Sequence, residues 1–314
     1  MTWLAGFVPS SVAGLIAPTW FTCVGIAGVV TLFVMLAVAR RHRLDAGVIA
    51  SMVLWCYVAA VAAGIVVPMV LDAFEQAAMH GHVRWRWAGM TSFWGYLAGL
   101  GAVAAVCKLH DLRLARLGDL AAAPLGGALF FARLGCFVAG CDYGKVTALP
   151  WAVRFPAGSP AWHDHVDAGL VPASRGESLP VHPTELYEAV LGLVIIAVSI
   201  ALARRAWARR GDGRVFLVAA ATYAAGRIAV ESCRGDAGRG IYAGLSSGQI
   251  FSLLLLAVIV GGVLIRRVQR HRARLTAGLA AAACALVIAI VAPHAAHAQA
   301  PAGPAHAQAP AGPA

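Results

Sequence analysis

Seven apolar runs constrain this chain more than any other feature: Thr19–Ala39, Gly47–Leu71, Met90–Cys107, Leu120–Gly140, Glu185–Ala203, Val215–Ser232 and Ser246–Ile265. Each is about 18–25 residues long, the length a helix rising about 1.5 Å per residue needs to cross a hydrocarbon core about 30 Å thick. Charge supports the reading, since only 12% of the 314 residues are charged and 60% are hydrophobic, whereas a soluble domain is about a quarter charged. The sequence predicts an all-α, polytopic membrane protein, a helical bundle of seven core transmembrane helices. Pro124 and Arg133 interrupt the fourth run, which a bundle tolerates because neighbouring helices satisfy a freed carbonyl. An eighth run, Leu275–Ala292, is rich in alanine and reads as an extra helix.

The formal charge of +11 raises nucleic acid or anionic lipid as partners, and its distribution decides. Sixteen of the 25 Lys and Arg fall in four alternate connections, at 40–43, 108–116, 204–214 and 266–274. The positive-inside rule makes those loops cytoplasmic and places the N-terminus outside. The charge is thus mostly topological, and a nucleic-acid partner is not expected. The opposite face carries 72–88, 141–183 and 233–245, with Trp85, Trp87, Trp151 and Trp162, rings suited to a headgroup boundary. The connection 141–183 far exceeds an ordinary loop of up to about 12–15 residues, so an ordered functional excursion is expected. Its Trp151–Phe155 stretch reads as a short strand or a segment lying on the membrane.

Residues 1–18 form an N-terminal segment without the basic stretch of a cleaved signal, 19–270 a transmembrane domain, 271–292 the extra helix, and 293–314 an Ala/Pro/Gly/His/Gln tail expected to be disordered.

Ionisable residues inside the runs are few: Arg133, Glu185, Glu188, Arg227 and Glu231. Each costs at least ~2.5–3.5 kcal/mol at the bilayer centre, so a functional role is the default expectation. Arg133 lies about 10 Å from the outer end of its run, and Arg227 and Glu188 are nearer still. Charges from three helices therefore share one leaflet. Arg227 and Glu231 are four apart, with Tyr223 a turn earlier on the same face. They read either as part of a site or as an internal ion pair that eases insertion. Arg133 has no acidic neighbour in its run and requires a partner from another helix or an anionic ligand; a guanidinium fork matches phosphate oxygens.

His182-Pro183-Thr184-Glu185 reads as a helix start with His182 as the cap and Glu185 as a first-turn residue. His182 is equally open to a role in proton transfer or headgroup binding. Tyr187 and Glu188 are the better site candidates, beside a helix N-terminus that favours an anion. Cys136 and Cys141 are too unevenly spaced to share a helix face, unless the glycine-rich end unwinds and brings them together. Small-residue packing and an oxidised pair are both open. A zinc site would need further ligands, the nearest being Asp142 and His182, and neither a metal nor a cofactor is expected.

At these residues the chain resembles the prolipoprotein diacylglyceryl transferase family. The stretches are Ala132–Gly144 (ARLGCFVAGCDYG), His182–Ala189 (HPTELYEA), Tyr223–Glu231 (YAAGRIAVE) and Leu245–Gln249 (LSSGQ), in matching order and spacing from about residue 19 to 265. The resemblance implies transfer of the diacylglyceryl group of phosphatidylglycerol to the thiol of a lipobox cysteine in a prolipoprotein signal peptide, with release of glycerol phosphate. It implies that Arg133 contacts the headgroup and that Arg227 and Glu231 are the essential pair on a later helix. The chain departs from the family at Cys136, Cys141 and Phe93 or Trp94, where the family carries Asn, Glu and a proposed histidine base; His182 is a possible substitute for that base.

The expected protein is therefore a multi-pass, monomeric enzyme of the bacterial plasma membrane. Arg227, Glu231, His182 and Glu188 are its catalytic candidates. Arg133, Tyr187, Tyr223, Cys136, Cys141 and Asp142 line its substrate site. The alternatives are a lipid- or metabolite-binding carrier and a thiol-dependent paralogue.

Overall fold

The computed structural model describes residues 19–83, 92–205, 211–236 and 241–269. Its long helices coincide with the seven apolar runs: α1 Thr19–His42, α2 Ala46–His80, α3 Ser92–Leu109, α4 Leu114–Ala139, α6 Thr184–Ala203, α7 Arg214–Cys233 and α8 Ser247–Gln269. A short amphipathic helix, α5 (Pro160–Asp167), lies in the long connection, and a two-residue hairpin, β1 Ile241–Tyr242 and β2 Leu245–Ser246, precedes α8. Six of these helices are long and apolar enough to cross a membrane. In α3 the apolar part, Trp94–Leu109, is shorter. The expected N-terminal segment, eighth helix and tail lie outside the described residues.

Two boundaries differ from expectation. Helix α2 does not stop at Leu71 but runs on to His80, where Gly81 caps it in the left-handed conformation (φ 69°). At about 50 Å it outreaches the hydrocarbon core; Gln76 holds the buried Asp72 at 2.7 Å one turn along the extension. Helix α4 begins six residues before the apolar run, and one of those residues explains why. Asp119 accepts from the backbone N–H of Gly213 at 2.9 Å and of Phe216 at 3.0 Å. Gly213, at the start of α7, makes no side-chain cap of its own, so α4 satisfies the orphan amides of its neighbour.

Large apolar side chains such as Phe33, Trp55, Val66 and Phe74 point outward. A soluble monomer would not tolerate so extensive an apolar surface; lipid does. Inside, Met35, Ile49, Met52, Val106 and Leu117 join α1–α4 at the basic end. Ala122, Leu191, Ile195, Val215 and Ala219 join α4, α6 and α7.

Helix α4 is central, packing against α1, α6 and α7. Its contact with α6 is a backbone crossing: a Cβ on Gly126 would lie 2.7 Å from the Gly192 carbonyl oxygen, and one on Gly192 would lie 2.6 Å from that of Gly126. Small residues are what let membrane helices meet this closely. The crossing sets Arg133 on α4 opposite Glu188 on α6, each one to two turns further along. Gly126→Ala should therefore cost about 1–3 kcal/mol by overpacking. Gly127→Ala, with open space at its Cβ, should leave thermal unfolding in detergent unchanged. Equal effects at both positions would contradict the crossing.

Candidate functional site

The long connection delivers residues 142–145 between the start of α6 and the end of α7. The Gly144 N–H donates to the His182 carbonyl at 2.9 Å, His182 returns a bond to Lys145 at 3.0 Å, and Lys145 donates to the Cys233 carbonyl at 2.7 Å. Space permits only glycine here: a Cβ at Gly144 would lie 2.5 Å from that of His182, and one at Gly235 would lie 2.6 Å from the Gly144 oxygen. The rest of the connection folds over this strip on Tyr143, Phe155, Ala161 and Val181. In the Trp151–Phe155 stretch Trp151 lies in a turn and Val153 is bridged to Val181. The Tyr143 hydroxyl donates to Asp164 at 2.8 Å.

The turn that starts the connection explains how thiols five residues apart meet. The Gly140 N–H bonds back to Phe137 (3.2 Å) and the Cys141 N–H to Cys136 (3.2 Å), the paired 5→2 and 6→1 bonds of a Schellman motif, which places the residues at its two ends side by side. Glycine-rich unwinding is not needed. Cys136, Cys141 and Asp142 then present ligand atoms all within 4.8 Å of one another. Neither cysteine is disulfide-bonded among the described residues, and His182, the other candidate ligand, is not in the cluster. Hydrogen bonding to Cys136 and burial push the Cys141 thiol above its ordinary range. Asp142 itself sits at φ 64°, a left-handed conformation uncommon for a residue with a side chain and of the kind found at functional sites.

From Asp142 a chain of alternating charges crosses the bundle. Arg133 Nη1 meets Asp142 at 2.7 Å and its Nε meets Glu188 at 2.7 Å. Glu188 also pairs with Arg227, and Arg227 pairs with Glu231 at 2.8 Å. At the other end Arg234 Nη2 meets Asp142 and Asp236, each at 2.6 Å. Arg133, Glu188, Arg227, Glu231 and Arg234 are all buried. The partner Arg133 required is thus protein, on two elements. Glycine again gives the room: a Cβ on Gly248 would lie 2.6 Å from Glu231 Oε2, and one on Gly226 would strike Leu191 at 2.4 Å. Gly248 belongs to a reciprocal cap in which Ser246 Oγ accepts from Gln249 N (3.1 Å) and Gln249 Oε1 from Ser246 N (3.0 Å).

Of the residues singled out from sequence, Arg133, Asp142, Glu188, Arg227 and Glu231 come together in this network, with Cys136 and Cys141 against its Asp142 end. Tyr223 lies close to Tyr96 of α3. His182 and Tyr187 form a side branch: His182 Nδ1 and the Tyr187 hydroxyl are 3.2 Å apart, and Trp151 Nε1 donates to that hydroxyl at 2.8 Å. The expected cap is corrected. Helix α6 starts at Thr184 with Pro183 at the cap position, because the His182 backbone is committed to the strip and its ring turns to Tyr187. Glu185 is in the first turn as expected, but it is fully buried and neither carboxylate oxygen has a hydrogen-bond partner among the described residues.

Sequence reasoning missed Arg234, Asp236 and Tyr96. The two loop residues looked like ordinary surface charges; only the cluster of Arg227, Glu231 and Arg234 within eight residues hinted otherwise.

Burial raises the Asp142 carboxyl, but Arg133 and then Arg234 outweigh it and hold it below the usual carboxylate range. A depressed carboxylate stabilises the fold above its unfolded pKa of about 4 and loses that contribution as pH falls toward its folded value. Asp142→Asn should therefore lower the unfolding temperature by a constant amount from pH 8 to about 5, with the gap closing below about pH 4. A gap that persists unchanged into acid would contradict the pairing.

The family model for prolipoprotein diacylglyceryl transferase matches residues 11–265. Similar proteins named phosphatidylglycerol–prolipoprotein diacylglyceryl transferase include one from Rhodospirillum rubrum, 38% identical over 191 residues (58% of this chain, 62% of the relative). Another, from Clostridium tetani, is 30% identical over 184 residues (59% and 66%). The match thus spans less than two thirds of the length of these relatives.

Proposed function

We propose, from the premise that this chain belongs to the prolipoprotein diacylglyceryl transferase family, that it moves diacylglyceryl from phosphatidylglycerol to a lipobox cysteine thiol. The observation that carries the reading is the placement of Glu188 between Arg133 and Arg227. It sets two guanidiniums from two helices around one buried point. The proposed bundle has seven core spans and an eighth helix, with its N-terminus outside, and sits as a monomer in the bacterial plasma membrane. The charged network then faces the outer leaflet, where both substrates present their reacting groups.

In the reaction the acceptor sulfur forms a bond to the glyceryl carbon as the bond from that carbon to the phosphate oxygen breaks. The electron pair leaves with glycerol phosphate, and the thiol proton passes to a base. Phosphate charge grows as the bond breaks, so donors fixed in advance at that oxygen stabilise the transition state more than the bound lipid. Arg133 and Arg227 supply those donors. Glu188 and Glu231 hold both guanidiniums in place and share them once phosphate enters. Asp142 steadies Arg133 from the loop side. Tyr187 orients the His182 ring, our candidate base, while Trp151 fixes Tyr187. Tyr223, Cys136 and Cys141 border the site.

Purified protein given phosphatidylglycerol and a lipobox peptide should yield the diacylglyceryl thioether, detected by mass. Arg133→Ala or Arg227→Ala should lower turnover by at least about a hundredfold, the usual cost of losing a donor to developing charge. Glu188→Gln should both slow turnover and destabilise the fold by on the order of 3 kcal/mol, because two buried guanidiniums lose one carboxylate. No thioether, where a known family member makes it under the same conditions, would overturn the reading.

A further inference from the structure

We propose that Cys136 and Cys141 are a reversible thiol–disulfide couple, exchanging with external disulfides and dithiols, that sets the position of Asp142. The Schellman turn holds the two cysteines side by side, with their sulfurs within 4.8 Å of each other, where a modest rotation of the side chains closes the bond. Cys136 is buried and Cys141 half-buried at the end of the long connection, so an external reagent reaches Cys141. Arg133 Nη1 lies 3.9 Å from Cys136 Sγ, so its charge favours the Cys136 thiolate, the group that closes the bond on oxidation and leaves on reduction. A metal ion is the poorer occupant, because both Asp142 oxygens are taken by guanidiniums that a cation would have to displace.

The step balances. One cysteine thiolate attacks an external disulfide, whose S–S bond breaks to give a mixed disulfide and one thiolate. The second cysteine then attacks the first, closing the Cys136–Cys141 bond and expelling the other thiolate. The cysteines lose two electrons and two protons; the external disulfide gains both and leaves as two thiols. A dithiol reverses the sequence.

Asp142 follows Cys141 directly and grips Arg133. Drawing Cys141 onto Cys136 therefore shifts a carboxylate that holds one of the two guanidiniums in the network. This consequence rests on the function proposed above, while the couple itself does not.

The full-length protein in detergent is equilibrated with oxidised or reduced dithiothreitol, quenched in acid, and alkylated. Peptide mass should show a 136–141 cross-link, lighter by two hydrogens, that appears under oxidation and disappears under reduction. Cys136→Ser and Cys141→Ser should each leave the remaining thiol alkylatable in both buffers. Both thiols alkylating in every buffer, or pairing elsewhere, would overturn the couple. Protection by added Zn2+ with no cross-link would overturn it too, in favour of a metal site. Oxidised wild-type protein should turn over at least about fivefold more slowly than reduced, the low end of ordinary coupling between sites. A closed bond with unchanged turnover overturns the link to Asp142. Absence of turnover in both forms counts against the proposed function and leaves the cross-link result standing.

Discussion

Glu188 lies between Arg133 and Arg227, a carboxylate on one helix held by guanidiniums on two others, and the bundle is arranged to permit it. A single charge at this depth costs several kcal/mol, so none of the three helices carries its charge without the others. The pairing in turn demands that backbones approach within reach of short contacts. That is where the glycines fall: Gly126 against Gly192 sets the crossing of α4 and α6, Gly226 admits Leu191 beside Arg227, and Gly248 leaves room for Glu231. Charge and small-residue packing are one constraint here, since widening any of these contacts separates the ions.

The second half of the site comes from outside the helices. Asp142 reaches Arg133 because a Schellman turn ends α4, a left-handed residue follows, and two glycines let the strip 142–145 lie flat between α6 and α7. The same strip fixes His182 by its backbone, which is why that ring is directed to Tyr187 instead of capping its own helix. Arg234 and Asp236 extend the alternation beyond the helices, so the network has one end buried among them and the other in the connection.

Much of this was legible in the sequence. The apolar runs located the helices, and the few charges within them named Arg133, Glu188, Arg227 and Glu231 as related, because their depth alone placed them at one end of the bundle. Depth says nothing of azimuth, so which charges pair with which was not readable. Nor was Arg234: one residue past a helix end, it carries no cost that would mark it. The meeting of Cys136 and Cys141 depends on a backbone turn whose only trace is Gly140. The extension of α2 past Leu71 was hidden because hydropathy reports the membrane, not the end of the helix.

The claim at the centre of this account is that buried guanidiniums select a lipid headgroup of net negative charge. Native mass spectrometry of the detergent-solubilised protein, equilibrated with equal amounts of phosphatidylglycerol and phosphatidylethanolamine, measures that selection without requiring turnover. The account predicts that phosphatidylglycerol is retained preferentially and that the preference vanishes in Arg133→Ala/Arg227→Ala. Equal retention of both lipids by the wild type, or a preference that survives the double substitution, would contradict it.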